Sequence, residues 1–306
     1  MQGLLLALFI GISAIFPAMA ACEGRMVSAG GADAGVCIPA VPRRIVALDP
    51  ALTMGILQEL GAPVVGAPLS AIQEPLVREA ARRSSVSDVG HPLQPSIERI
   101  IALKPDLIVG SAEMHGRFRE SASRIAPTLL IEQMDWKRQY RLLAEITGHR
   151  DKAQAVLEDY ERRVAEIRAR VPATPVSVVR VRPGGFHVYL DGPSAYAPYA
   201  VLREAGVKRT AYETTSDGTV LKRPDWEEIA ALEGDILLYV VVSGFDPVPD
   251  DVLSASTVAN PLWKMLPAVR AGRAHRVDRA TWMGFHGIAS AHRVLDDVER
   301  FVLKTP

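Results

Sequence analysis

The sequence has no surplus of charge of either sign. Lysine plus arginine and aspartate plus glutamate stand at 35 each in 306 residues. Without net basicity nucleic acid is a poor partner, and any electrostatic function has to be local. Nucleotide-site and hydrolase signatures are also missing: no G-x-G-x-x-G follows a strand-like run, no G-x-x-x-x-G-K-[ST] occurs, and there is no G-x-S-x-G elbow. The seven histidines form neither an i, i+4 pair nor an H-E-x-x-H, so direct metal ligation has no pattern behind it. Past the N-terminal segment no stretch is apolar enough to span a bilayer.

The first twenty residues, "MQGLLLALFIGISAIFPAMA", carry no charge at all. Their apolar run is short for a span and ends in Pro17 and Ala18-Met19-Ala20, which reads as a secretory signal peptide (1–20) cut after Ala20. The absence of Lys or Arg at its start departs from that pattern, and a retained anchor is the other reading. Only two cysteines occur, Cys22 and Cys37. Outside the cytoplasm a close pair reads as a disulfide. The competing reading takes "MAAC" as a lipobox, with Cys22 lipidated and Cys37 left single.

What is present is apolar content, 48% of residues, and a strand–helix rhythm. "RIVAL", "PVVGAP", "KPDLIVG" and "PTLLI" are strand-like runs, and helical spacing separates them. This alternation predicts a parallel sheet covered by helices. "DKAQAVLEDYERRVAEIRARV" places Ala153, Val156, Leu157, Tyr160, Val164, Ile167 and Val171 on one helical face. From Arg150 to Val171 such a helix would run about 33 Å, the width of a small domain, which suits a strut between two units. The strand–helix rhythm then resumes. The fold expected is α/β, two Rossmann-like lobes with parallel-rich sheets joined by a single long α-helix. The boundaries are an N-terminal lobe with a hairpin (21–148), a linker helix (149–172) and a C-terminal lobe (173–306).

One phrase is written twice. "PSIERIIALKPDLIVG" from Pro95 returns as "PDWEEIAALEGDILLY" from Pro224, with Glu98/Glu227, Ile100/Ile229, Leu103/Leu232 and Asp106/Asp235 in register. Ser96 and Asp225 are good N-caps, and each places a glutamate in a helical first turn, where the helix dipole favours it. Ordinary surface chemistry kept by duplication accounts for this. So does a pair of matched charges offered to a two-fold partner.

The segments "VPRRIVALDP", "VGHPLQPSIERIIALKPDLIVG", "SRIAPTLLI", "NPLWKMLPAVRAGRAHRVD" and "SAHRVLDDVERFV" together resemble the periplasmic binding proteins of iron–siderophore ABC importers, over roughly Cys22 to Leu303. The resemblance implies capture of a ferric siderophore between two lobes by a monomer in the periplasm. It also implies delivery to a dimeric ABC permease in the inner membrane, with Glu98 and Glu227 docking on its two subunits. Iron is then present only within the cargo, with no resident cofactor. Cobalamin or haem is the alternative cargo for the same fold, and a secreted α/β enzyme the alternative from another class.

Ligands of open α/β lobes sit beyond the strands' carboxyl ends. There the sequence offers Asp49, Gln94, His115 and Arg117 in the first lobe. The second offers Arg182, His187, Tyr189, Ser243–Phe245, Trp282 and His286. Arg182 and Trp282 lead, because arginine pairs with carboxylate or catecholate oxygens and aromatics make flat walls. Against each stands a plain structural role: Arg180 and Arg182 share a strand face that could end in solvent, and Tyr189 could close a core.

Overall fold

The computed structural model describes residues 22–29, 35–132, 135–244 and 249–304. The expected signal peptide (1–20) and Phe245 lie outside the described residues. The chain begins with a two-stranded antiparallel hairpin, Arg25–Val27 with Val36–Ile38, and Cys37 on its second strand is disulfide-bonded to Cys22.

The N-terminal lobe holds a five-stranded, all-parallel sheet. Its order is Ser87–Asp88, Val64–Ala67, Ile45–Ala47, Leu107–Ser111 and Thr128–Ile131. Three of the five are short apolar runs buried on both faces, as a helix-covered parallel sheet requires. Helix Leu52–Leu60 stops at Gly61, whose φ of 80° suits a glycine C-cap.

The C-terminal lobe is built around Pro175–Arg182. On one side this strand pairs in parallel with Ile236–Val241, and that strand pairs in parallel with Ala274–Arg276. On the other side Gly185–Tyr189 returns antiparallel and pairs with Leu221–Lys222, while Lys208–Arg209 runs parallel to the start of the central strand. This sheet is therefore mixed, because the Pro183-Gly184-Gly185 turn sends the chain straight back as a hairpin.

Helix Trp136–Thr147 is capped by Asp135, and the linker helix follows over Arg150–Arg168. The linker is slightly shorter than its apolar spacing suggests. Its buried stripe (Ala153, Leu157, Tyr160, Val164, Ile167) sits in one continuous core that runs through both lobes. Met54, Leu57 and Tyr140 from the first half meet Val176, Val178, Tyr199 and Val294 from the second in that core. Trp136 stands edge-on to Tyr160 at 5.2 Å and to Phe285 at 5.6 Å. Smaller apolar clusters back the outer face of each sheet, around Ile100 and Ile108 in one lobe and Phe186 and Trp263 in the other.

The repeated phrase does occupy matching places. In each copy Ile100 or Ile229 is buried, and the following strand is the Leu107–Ser111 or Ile236–Val241 neighbour of the lobe's central strand. The copies differ in one respect. The first forms an α-helix, Ile97–Ala102, whereas the second forms only a turn and a 3-10 segment at Ile229–Ala231. The second must drop at once past Ser177, whose Oγ accepts from Gly234 N at 3.0 Å; a Cβ on Gly234 would stand 2.4 Å from Ser177 N.

Candidate functional site

The central strand of the C-terminal lobe shows how the site arises. Side chains alternate, so Val176, Val178, Arg180 and Arg182 share one face and Val179 and Val181 the other. The first face packs Val176 and Val178 into the shared core and then, at the strand's carboxyl end, turns to arginine. The antiparallel register places His187 opposite Arg180, with Tyr189 two residues further along the same face. Two arginines, a histidine and a tyrosine thus form one polar field where the core opens.

That field borders a cavity of about 410 Å³ between the lobes, within the range of small-molecule sites. Arg180, Tyr189, Tyr196, Arg279 and His286 line it from the second half of the chain, and Asp49, Gln73, Glu74, Leu93 and Met114 from the first. Tyr189 stacks on Tyr199 at 5.0 Å and leans on Tyr196 at 5.5 Å, which gives the site an aromatic wall. Arg180 Nη1 donates weakly to the Tyr189 hydroxyl at 3.4 Å, and its Nε is buried with no partner among the described residues. His187 Nδ1 is likewise buried and unpartnered. Burial, then the charges of Arg180, Arg182 and Arg223, push the His187 pKa down to about 4, so it is neutral at neutral pH. Arg279 is anchored, its Nη1 on Asp250 Oδ2 at 2.7 Å and its Nη2 on the Gly244 carbonyl.

The expected site residues divide sharply. Tyr189 and His286 reach the cavity, with Asp49; His187 stands beside Arg180 at its edge. Asp49 accepts from Ala51 N at 3.1 Å and Thr53 N at 2.8 Å, so much of its charge is spent on starting helix Leu52–Leu60. Arg180, not Arg182, lines the wall. Trp282 is fully buried, donating from Nε1 to Asp297 at 2.7 Å and standing edge-on to Tyr199, so it braces the aromatic wall from behind. His115 is 1% exposed and ties loops together: Nε2 to the Pro92 carbonyl at 3.0 Å, Nδ1 to Ser111 N at 3.0 Å, with burial lowering its pKa. Gln94 and Arg117 are exposed and lie outside the cavity lining. Ser243 holds Asp250 through N and Oγ. No cluster of three or more metal-ligating side chains exists among the described residues.

Two clasps tie the cavity's floor together across the halves. Glu59, on helix Leu52–Leu60, accepts from Ile288 N (3.0 Å) and Ala289 N (2.9 Å) at the start of the last long helix, Ile288–Val298. Gly287, at φ 139°, precedes that helix, and a Cβ there would stand 2.4 Å from Glu59 Oε2. Burial outweighs these hydrogen bonds and the one from Tyr140, and pushes the Glu59 pKa up to about 7. Beside it Glu74 pairs with Arg293 at 2.7 Å, and Arg293 reaches His286 Nε2 at 3.3 Å, while His286 Nδ1 meets Ser290 Oγ at 2.8 Å.

Glu98 and Glu227 are exposed, each beside its cap: Ser96 Oγ donates to Glu98 at 2.9 Å, and Asp225 accepts from Glu227 N at 2.8 Å. The helix-start amide and the Ser96 hydroxyl hold the Glu98 carboxyl below its usual range. An open groove of about 670 Å³ runs beside Glu98, lined by Ile97, Ile101, Lys104 and Arg124 among others. All of its walls belong to one lobe, so it does not clasp a ligand between the two.

The chain matches the family described as "Periplasmic binding protein" over residues 45–280. It is 30% identical to the "Probable siderophore-binding lipoprotein YfiY" of Bacillus subtilis, over 88% of this chain and 85% of that protein. It is 28% identical to the "Achromobactin-binding periplasmic protein" of Dickeya dadantii, over 85% and 86%. In fold it is similar to Staphylococcus aureus SirA in complex with staphyloferrin B, with a TM-score of 0.75 and 24% identity over 87% of this chain and 94% of that one.

Proposed function

The chain belongs to the periplasmic binding protein family, and from that premise we propose that it captures a ferric siderophore between its lobes and delivers it to a dimeric ABC permease. One observation carries the reading: Arg180 enters the interlobe cavity with a buried, unpartnered Nε. A buried donor left unsatisfied costs about 1–3 kcal/mol, which an anionic oxygen of the cargo would recover. Arginine suits carboxylate or catecholate oxygens, and the Tyr189–Tyr196 wall suits flat ligand surface. Relatives named for siderophores support the cargo class.

Iron arrives inside the chelate and needs no protein ligand. Glu98 and Glu227 are the docking acids, one per lobe, where paired charges favour orientation and encounter rate. The Cys22–Cys37 disulfide suits the periplasm. It also occupies the sulfur that a lipid anchor at Cys22 would need. The functional unit is a monomer, since one chain supplies both lobes.

Intrinsic tryptophan fluorescence, titrated with ferric carboxylate, catecholate and hydroxamate chelates and with haem and cobalamin, tests the cargo. Saturable quenching by ferric chelates is expected. Tight binding of haem or cobalamin alone would overturn the reading.

A further inference from the structure

A second cavity of about 270 Å³ adjoins the first. The two share Asp49, Ala51, Met114 and Tyr196 as a common wall. It too lies between the lobes, with Ala195–Ala200 and Phe285 on one side and Ser111–Met114 and Ile131–Gln139 positions on the other. Its charged lining differs: the first cavity mixes Arg180 and Arg279 with Asp49 and Glu74, and the second is acidic. Asp49, Glu113, Glu132 and Asp135 line it, and no lysine, arginine or histidine among the described residues does.

Two of these acids are already engaged. Asp49 accepts from Thr53 N in the first turn of one helix, and Asp135 accepts from Lys137 N at 3.0 Å and Arg138 N at 3.1 Å. Glu113 and Glu132 are exposed at the rim and make no ion pair among the described residues. Acidic side chains on a surface would carry no weight alone. An independent feature marks this place: Trp136 lines the same cavity, is 2% exposed, and its Nε1 is a buried donor with no acceptor among the described residues. A cavity with an unused indole N–H in its wall and unpaired carboxylates at its mouth fits a ligand arm with a carbonyl acceptor followed by a cation.

Resting on the cargo reading above, we infer that the siderophore is zwitterionic. Its chelating, anionic part meets Arg180, and an amide-linked, protonated amine arm enters the second cavity toward Glu113 and Glu132. Arg180 and the acidic rim of the second cavity then each meet a ligand group of opposite sign, and a chelate of one sign only would leave one of them without a counterpart.

The test uses a matched pair of probes: the ferric complex of a citrate monoamide bearing a free aminoethyl arm, and the same complex with that amine acetylated. Acetylation removes the charge and preserves the chelating head. The wild-type protein is expected to bind the free amine about tenfold more tightly, as close charge pairs in a partly enclosed site allow. The Glu113→Gln/Glu132→Gln variant changes only exposed side chains. It is expected to keep the acetylated probe's affinity and lose the preference, with its melting temperature unchanged. Equal binding of both probes by the wild type, or a preference that survives in the variant, would overturn the second-cavity assignment alone. No binding of either probe, or of any ferric chelate, would instead reject the cargo reading and this assignment with it.

Discussion

Arg180 and His187 stand directly opposite each other across an antiparallel strand pair, each with a buried nitrogen that has no hydrogen-bond partner among the described residues. Arg180 supplies the positive charge of this wall, and His187, neutral at neutral pH, adds none. Burial first, and then Arg180 as the largest of the neighbouring charges, lower the His187 pKa to about 4. Replacing Arg180 by Gln should weaken ferric-chelate affinity by about a hundredfold. It should also move His187 up toward its ordinary value, read by NMR titration. Because the folded value lies below the unfolded one, His187's contribution to stability is complete above pH 6.5 and is lost as pH falls toward 4. Denaturation curves across that window should show a smaller loss in the Arg180→Gln variant.

Glu59 has the opposite sign. Its folded pKa of about 7 lies above the ordinary 4.5, so its contribution is fully present below pH 4.5 and is lost as pH rises through 7. Glu59→Gln should therefore gain on the wild type in unfolding free energy between pH 4.5 and 7 and hold a constant offset above that. A difference curve that is flat across this range would show that the clasp on Ile288 and Ala289 is held by an ordinary ionised carboxylate.

The docking acids make a separable prediction. Glu98→Arg/Glu227→Arg should keep ferric-chelate affinity within about twofold, as exposed groups far from a site do, and abolish uptake in cells that carry the permease. A fall in affinity in the purified variant would place these glutamates in the ligand site.

One continuous core passes through both lobes and takes in the linker helix, Trp136 and Phe285. Wide hinge opening would expose that apolar surface, so it is disfavoured. Scattering curves with and without a saturating ferric chelate should nearly superimpose. A marked contraction on binding would mean that the core parts between the lobes.

The strands were readable because buried parallel strands are short β-branched runs, and the linker helix because its stripe keeps helical spacing over five turns. Arg180 was half-readable: alternation along Pro175–Arg182 puts it on the face of Val176 and Val178, but only the hairpin's register shows that this face opens on a cavity rather than on solvent. Trp282 and His115 could not be placed from sequence. Their partners, Asp297 and the Pro92 carbonyl, are distant in the chain, so burial of an aromatic or a histidine near a strand end reads the same as exposure. The second copy of the repeated phrase gave no sign of losing its helix, because the close approach of Gly234 to Ser177 is a tertiary contact.

The central claim is that the cationic face ending in Arg180 holds the cargo between the lobes. Its most direct test is the iron retained after gel filtration by wild-type, Arg180→Glu and Glu98→Arg/Glu227→Arg proteins loaded with a mixture of ferric carboxylate and catecholate chelates. Stoichiometric, saturable iron is predicted for the wild type and the docking variant, with almost none for Arg180→Glu. Wild-type loading of a correctly folded Arg180→Glu protein would contradict the claim.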